Sequence, residues 1–376
     1  STSQKPLEVI DTISSYYNSY AANVHRALYS IGEKATDEYE NVRLLVKKML
    51  NVPDSHSVIF TSGTTESINL IAYSWGLKNL KKADSVLITE MEHHSNIIPW
   101  QLITKKTNSS LNYIPLSNNG TLNTESMNEQ LLSSTKIISI SHQSNVFGTI
   151  NPIKNIIDKA KSMDILTLID GAQAVPHLKV NLAELDSDFY VFSGHKMLGP
   201  TGVGVLIGRN ELLEEMEPFL GGGEMINKVN MHESTWNEIP WKFEAGTPKV
   251  AQVIGLGAAI KYLMNIGLDN IHNHEQGLLQ YALDILEQNE NIILYGNPPE
   301  RGAVIPFNLK NIHAHDLAKF LDLDGICIRA GHHCAQPIMD YLNVSSTARI
   351  SMNIYNDEND IDILAAGIKK TISTLN

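Results

Sequence analysis

A chain of 376 residues, 43% of them hydrophobic, is long enough for two or three units around an ample buried core. Its net charge of −12 argues against nucleic acid or an acidic membrane surface as partner, and no apolar run approaches the roughly 20 residues that span a bilayer; a soluble, cytoplasmic protein is expected, with no nucleic acid and no membrane among its partners. Cys327 and Cys334, the only cysteines, form no CxxC pair, which suits a reducing compartment and leaves room for one reactive thiol.

The chain opens on Ser1-Thr2-Ser3 without Met, which keeps a removed targeting segment, and with it an organellar stroma or matrix, open as the alternative compartment. After Pro6, Leu7, Ile10, Ile13 and Tyr17 recur at helical spacing, and Asp37 to Leu50 carries Tyr39, Val42, Leu45, Val46 and Met49 on one face. In the break between them, Asn23-Val24-His25-Arg26, His25 is as readily a hydrogen-bonded loop histidine as a catalytic one.

Val58-Ile59-Phe60 reads as a strand, Thr61 to Thr65 as a polar turn and Glu66 to Trp75 as a helix. That sequence of elements makes an anion site, because the free N–H groups of a helix's first turn and its dipole point at the ligand. Thr64 or Thr65 can equally be an ordinary N-cap. Val86-Leu87-Ile88 is the next strand and ends at Glu90-Met91-Glu92-His93-His94. Adjacent histidines project to opposite sides and no second cluster has zinc-like spacing, so no metal is expected; an imidazole stacked on a flat ring is the better reading. Lys136 to Ile140 leads into His142 to Gly148, where Asn145 could donate to a carboxylate or a phenolic oxygen, and Ile165 to Ile169 delivers Asp170-Gly171-Ala172-Gln173.

Phe189 to Phe192 form a buried strand that empties into Ser193-Gly194-His195-Lys196, and Gly199, Pro200, Gly202 and Gly204 keep the backbone close to whatever Lys196 faces. Such a lysine grips a phosphate, attacks an aldehyde cofactor as an amine, or sits on a solvated turn. Phosphate gripping of the P-loop kind fails, because that lysine is followed by Ser or Thr and a helix, whereas Met197-Leu198-Gly199 follow here. Each strand ends at a polar residue on what should be one carboxyl edge of a mostly parallel sheet, where ligands bind in open α/β folds. A lysine to hold an aldehyde and Asp170 to keep a pyridine nitrogen protonated, on consecutive strands, fit pyridoxal 5'-phosphate (PLP). Its phosphate would fall to Gly63-Thr64-Thr65 with Ser193 and His195, and its ring would lie between His93 and the sheet.

From about Gly255, helical runs lead to short strands around Ile292-Leu294 and Ala303-Phe307, a smaller α/β unit packed on the larger one. The predicted division is 1–258 for a large PLP-binding domain and 259–376 for a small domain carrying the cysteine loop. Cys327, in the apolar run Gly325 to Arg329, reads as packing. Cys334 lies in a Gly/His/Gln/Pro loop near Arg329, His332 and His333, and cationic neighbours favour a reactive thiolate.

The segments SGTTESINLIAYSWG, EMEHHSNIIPWQ, LIDGAQAVPH, FSGHKMLGPTGVGVL, FLGGGEMI, FEAGTPKV and RAGHHCAQP cover nearly the whole chain. Together they resemble the Suf-type (group II) cysteine desulfurases of the PLP fold-type I, class V aminotransferase superfamily. FSGHKMLGPTG carries the superfamily and RAGHHCAQP the branch. The resemblance implies a homodimeric enzyme that converts L-cysteine to L-alanine, leaves the sulfur on Cys334 as a persulfide, and passes it to a small sulfur-acceptor protein of the Suf system for iron–sulfur cluster assembly. It implies that Lys196 carries PLP, His93 stacks on its ring, Asp170 pairs with the pyridine nitrogen and Gln173 reaches the phenolic oxygen. Thr64, Thr65, Ser193 and His195 would contact the phosphate, and Thr247 would reach the neighbouring subunit's site. Asn145 and Arg349 would hold the substrate carboxylate, with His25 and Arg329 also on the substrate side. Selenocysteine lyase activity would use the same residues. Ser62 departs from the Arg of many relatives, and relatives carry a further strand and an Ala-rich turn before SQKP.

Overall fold

The computed structural model describes residues 1–26 and 28–375. Seven strands form the main sheet: β1 (His56–Thr61), β2 (Ser85–Thr89), β3 (Ser110–Ile114), β4 (Thr135–Ser141), β5 (Leu166–Asp170), β6 (Phe189–Ser193) and β7 (Gly204–Arg209), in the order β1-β7-β6-β5-β4-β2-β3. β3, β2, β4, β5 and β6 pair in parallel. β7 is antiparallel to both β6 and β1, which returns β1 to the direction of β6. Thr61, Thr89, Ser141, Asp170 and Ser193 therefore finish on one edge of the mostly parallel sheet that the sequence predicts.

The central strands are covered on both faces, which is why they read as unbroken apolar runs. Alternation still sorts their side chains. Val58, Phe60 and Leu87 join a core with the helices Leu7–Ser19, Ser30–Leu50 and Val250–Ile266; Ile59, Val86 and Ile88 join a second core with Thr64–Ile71 and Ile98–Thr107. Where β1 meets β7, a Cβ on Gly204 would lie 2.4 Å from the Cα of Gly63, so the polar turn closes against its neighbour only with glycine at that point.

β8 (Ile226–Val229) and β9 (Ser234–Trp236) form a hairpin, and β10 (Ile292–Leu294), β11 (Val304–Leu309), β12 (Arg329–Gly331) and β13 (Thr347–Ser351) form an antiparallel sheet in the order β10-β11-β13-β12. This sheet has its own core, shared with the helices Leu268–Glu287, Ala314–Asp322 and Glu358–Leu375. β12 and β13 carry Arg329 and Arg349 toward the main sheet's carboxyl edge.

Three sequence readings need correction. Of the stripe assigned to the first helix only Ile13 is partly buried: Leu7, Ile10 and Tyr17 are 71%, 46% and 60% exposed. The helix instead packs through Val9, Ile13 and Tyr16, because it approaches the Val250–Ile266 helix at Gly255, where a Cβ would collide with Ile13. β3 and the β8–β9 hairpin escape sequence reading because they are edge or solvent-facing strands without a buried alternating stripe. Cys327 is exposed rather than packed: it lies outside the strands, and alternation turns it outward between the half-buried Ile326 and Ile328. No single helix among the described residues is long and apolar enough to cross a membrane; Val250–Ile266 and Leu268–Glu287 qualify only jointly, meet at 75°, and contribute buried residues to the cores.

Candidate functional site

The strand ends feed a cavity of about 270 Å³. The main sheet contributes Thr64, Thr65, His93, Asn145, Asp170, Gln173, Ser193, His195 and Lys196, and the small sheet contributes Arg329 and Arg349. After β1, the Thr64 N–H donates to Ser193 Oγ at 2.9 Å, and the two hydroxyls lie 2.8 Å apart. A Cβ on Gly63 would press Ser193 Oγ at 3.3 Å, so glycine keeps this end of the cavity open at the start of the Thr64–Ile71 helix. First-turn N–H groups and the helix dipole make that end attractive to an anion.

At the end of β5, Asp170 Oδ1 accepts from the Ala172 N–H at 2.9 Å, and burial pushes the carboxyl above its ordinary value against the pull of Lys196. Gln173 Oε1 is buried without a partner among the described residues. Past β6, burial lowers the Lys196 amine below its ordinary value; Asp170 opposes that shift, and the charges of Arg349 and Arg329 add to it. Beyond β2, His93 Nδ1 lies 2.7 Å from Ser95 Oγ and accepts the Ser95 N–H at 3.1 Å. A backbone N–H can only donate, so the neutral His93 ring carries its proton on Nε2.

The cysteine loop closes the site from the other side. Arg329 Nη2 donates to Cys334 Sγ at 3.2 Å, so the half-buried Cys334 meets the cavity lining through that arginine. Arg349 Nη1 donates to the Asn145 carbonyl at 2.6 Å, while its buried Nε has no partner among the described residues. The Asn145 amide donates to the His333 carbonyl at 2.7 Å, so it fastens the cysteine loop in addition to lining the cavity. His333 and Cys334 both adopt left-handed backbone, with φ of 54° and 57°. That conformation costs a non-glycine residue roughly 1–2 kcal/mol, so the loop must be held from outside.

Two expected residues lie apart from this cavity within their own chain. His25 pairs with Glu40 Oε1 at 2.9 Å and packs edge-on against Tyr39 and Trp241. Thr247 lines a separate depression with Phe60, Glu66 and Glu244. Sequence reasoning also missed Glu92. Fully buried, it accepts from Thr89 Oγ1 (2.7 Å), the Ser141 N–H (3.0 Å), Ser141 Oγ (2.6 Å) and Asn96 Nδ2 (2.7 Å), and ties the His93 turn to the end of β4. Its sequence signal was a lone acid between Met91 and His93, just past an apolar strand.

Burial gives the site a pH signature. It lowers His93 and His333 to about 3 and His142 and His195 to about 4, with the charges of Lys196 or of Arg349 and Arg329 adding to the shift at all but His142. Each group binds fewer protons folded than unfolded once the pH drops below 6.5, so its contribution falls with acidification, by about 1.4 kcal/mol per pH unit at most. Glu92, which burial raises to about 7, acts oppositely between 7 and 4.5, and Asp170, which burial also raises, acts in the same sense as Glu92, but they are two groups against four. The cofactor-free protein should therefore show a lower urea midpoint at pH 5 than at pH 7; an unchanged or higher midpoint would contradict the buried, neutral state of these histidines.

The residues present fit PLP. Asp170 is a buried carboxylate that needs a cationic partner, Gln173 offers an unused acceptor, and Lys196 offers an amine inside a cavity with an anion-attracting end. The class-V aminotransferase family profile matches residues 1–364. A probable cysteine desulfurase of Halalkalibacterium halodurans is 51% identical over 370 residues, which is 98% of this chain and 91% of that protein. Among solved structures, the cysteine desulfurase CsdA of Escherichia coli aligns with a TM-score of 0.92 at 34% identity, over 98% of this chain and 92% of that one. The apo cysteine desulfurase of Thermococcus onnurineus NA1 gives 0.95 at 34% identity, over 99% and 93%.

Proposed function

The chain belongs to the class-V aminotransferase family, with the α/β architecture of PLP fold-type I, and from that premise we propose that it is a PLP-dependent L-cysteine desulfurase. The observation that carries this reading is the meeting of Lys196 and Asp170 in one cavity with Arg329, which donates to Cys334 Sγ. PLP supplies an aldehyde that condenses with amines and a ring that takes up electrons from the substrate α-carbon. Lys196 and Asp170 would hold it at opposite ends of that chemistry, His93 would lie against its ring, Gln173 would serve its phenolic oxygen, and Thr64, Thr65, Ser193 and His195 would hold its phosphate. Thr247, outside its own chain's cavity, serves the site of the second subunit in a homodimer.

Arg349 and Asn145 take the cysteine carboxylate, and Lys196, whose amine burial lowers below its ordinary value, moves the proton at the substrate α-carbon. The Cys334 thiolate then attacks the substrate sulfur. A sulfur–sulfur bond forms, the Cβ–S bond breaks, and its electron pair stays on the carbon, which takes a proton to become alanine. The persulfide sulfur goes to a small acceptor protein of the Suf system, for iron–sulfur cluster assembly in the cytoplasm. Incubation with L-cysteine should yield alanine and one added sulfur on the Cys334 peptide; alanine with no mass gain there would sink the assignment.

Arg349→Ala tests the carboxylate site. A charge-assisted bond of roughly 1.5–3 kcal/mol predicts cysteine binding about 10- to 100-fold weaker, read by spectral titration of the loaded enzyme. Unchanged affinity would move the carboxylate to another residue.

A further inference from the structure

We propose that His94 is a positioning residue for Cys334, holding the thiol near the cavity by gripping the cysteine loop at Cys334 and just beyond it. This rests on the desulfurase reading for its meaning but on separate geometry. The His94 N–H donates to the Cys334 carbonyl at 2.7 Å, and His94 Nε2 accepts the Gln336 N–H at 3.0 Å. The two bonds take hold of the backbone at Cys334 itself and two residues beyond it. Its left-handed conformation, shared with His333, is one that residues with side chains keep only when fastened.

Apart from Arg329, which donates to Cys334 Sγ at 3.2 Å, the other fasteners described above hold His333. His333 Nε2 bonds to the Thr347 carbonyl at 3.1 Å and hydroxyl at 2.8 Å within the small sheet, and Asn145 holds the His333 carbonyl at 2.7 Å. From the main sheet's edge, His94 supplies the bonds to the residues from Cys334 onward. Gln336 opens the helix Gln336–Leu342, so its N–H has no partner within the helix and is free to donate to the imidazole.

The bond also fixes the chemistry of the ring. A backbone N–H can only donate, so His94 Nε2 must be unprotonated and the ring neutral. Burial, helped by the charge of His332, moves His94 in that direction. His93 and His94, 6.3 Å apart and tilted by 51°, thus divide the work: the first faces the cavity and the second faces the cysteine loop.

The test compares wild-type holoenzyme with His94→Phe, which fills the space without an acceptor, and His94→Gln, whose amide oxygen can accept. Two quantities are read: the rate of alanine formation in the first turnover with L-cysteine, and iodoacetamide labelling of Cys334, resolved by peptide mass against the exposed Cys327 as internal reference. Loss of one positioning hydrogen bond should slow the first turnover about tenfold in His94→Phe and raise the Cys334/Cys327 labelling ratio about threefold or more. Cysteine affinity by spectral titration should stay within about twofold, and His94→Gln should recover most of both losses. A Phe variant equal to wild type in both readings, or a Gln variant as impaired as the Phe variant, overturns the assignment. A wild type that makes no alanine sinks the desulfurase reading alone, because the labelling ratio needs no turnover and still decides on the grip.

Discussion

Lys196→Ala should reduce alanine release from L-cysteine to background, a loss of about 10²-fold to 10⁴-fold or more if proton transfer at the α-carbon is the step it serves. The side chain is hard to replace. Arg329 and Arg349 share its cavity, but a guanidinium stays protonated and can neither attack an aldehyde nor take a proton. His93 is neutral, yet its Nδ1 is engaged by Ser95 and its Nε2 already carries a proton. PLP should still bind the variant through the Thr64–Ser193 end of the cavity and through Asp170, so cofactor content and catalysis should separate. The measurement is alanine release beside the absorption of bound cofactor; a variant that retains cofactor and turns over at the wild-type rate would remove Lys196 from the chemistry.

Cys334→Ser should bind cysteine, seen as a spectral change of the cofactor, but form no persulfide and release alanine only at background. A serine hydroxyl in the same place, beside Arg329, is not a thiolate and cannot form the sulfur–sulfur bond that balances the reaction. The loop that carries Cys334 is short and pinned by His94, Asn145 and Thr347, so the persulfide cannot swing out to a distant acceptor. Wild-type turnover with cysteine alone should accordingly be slow, and a small acceptor protein that brings its own thiol to Cys334 should accelerate it. Wild-type rates of alanine release from Cys334→Ser, with or without the acceptor, would show that another group takes the sulfur. The exposed Cys327 serves as the control position, and its replacement by serine should leave turnover unchanged.

The sequence alone determined the central strands of the sheet and the chemistry at their edge. Central strands buried on both faces must be apolar along their whole length, so Phe189 to Phe192 and Ile165 to Ile169 stand out, and the polar residues that end them, Lys196 and Asp170, are brought together by parallel pairing of neighbouring strands. Tertiary structure alone decided what holds those groups. The bonds of Glu92 to Ser141, of Asn145 to His333 and of His94 to Gln336 join segments far apart in the chain, and no local periodicity records them. The outward turn of Cys327 and the packing face of the first helix were likewise settled by which neighbour lay against each segment, because a side chain's burial depends on the opposing surface and only its direction on the local backbone.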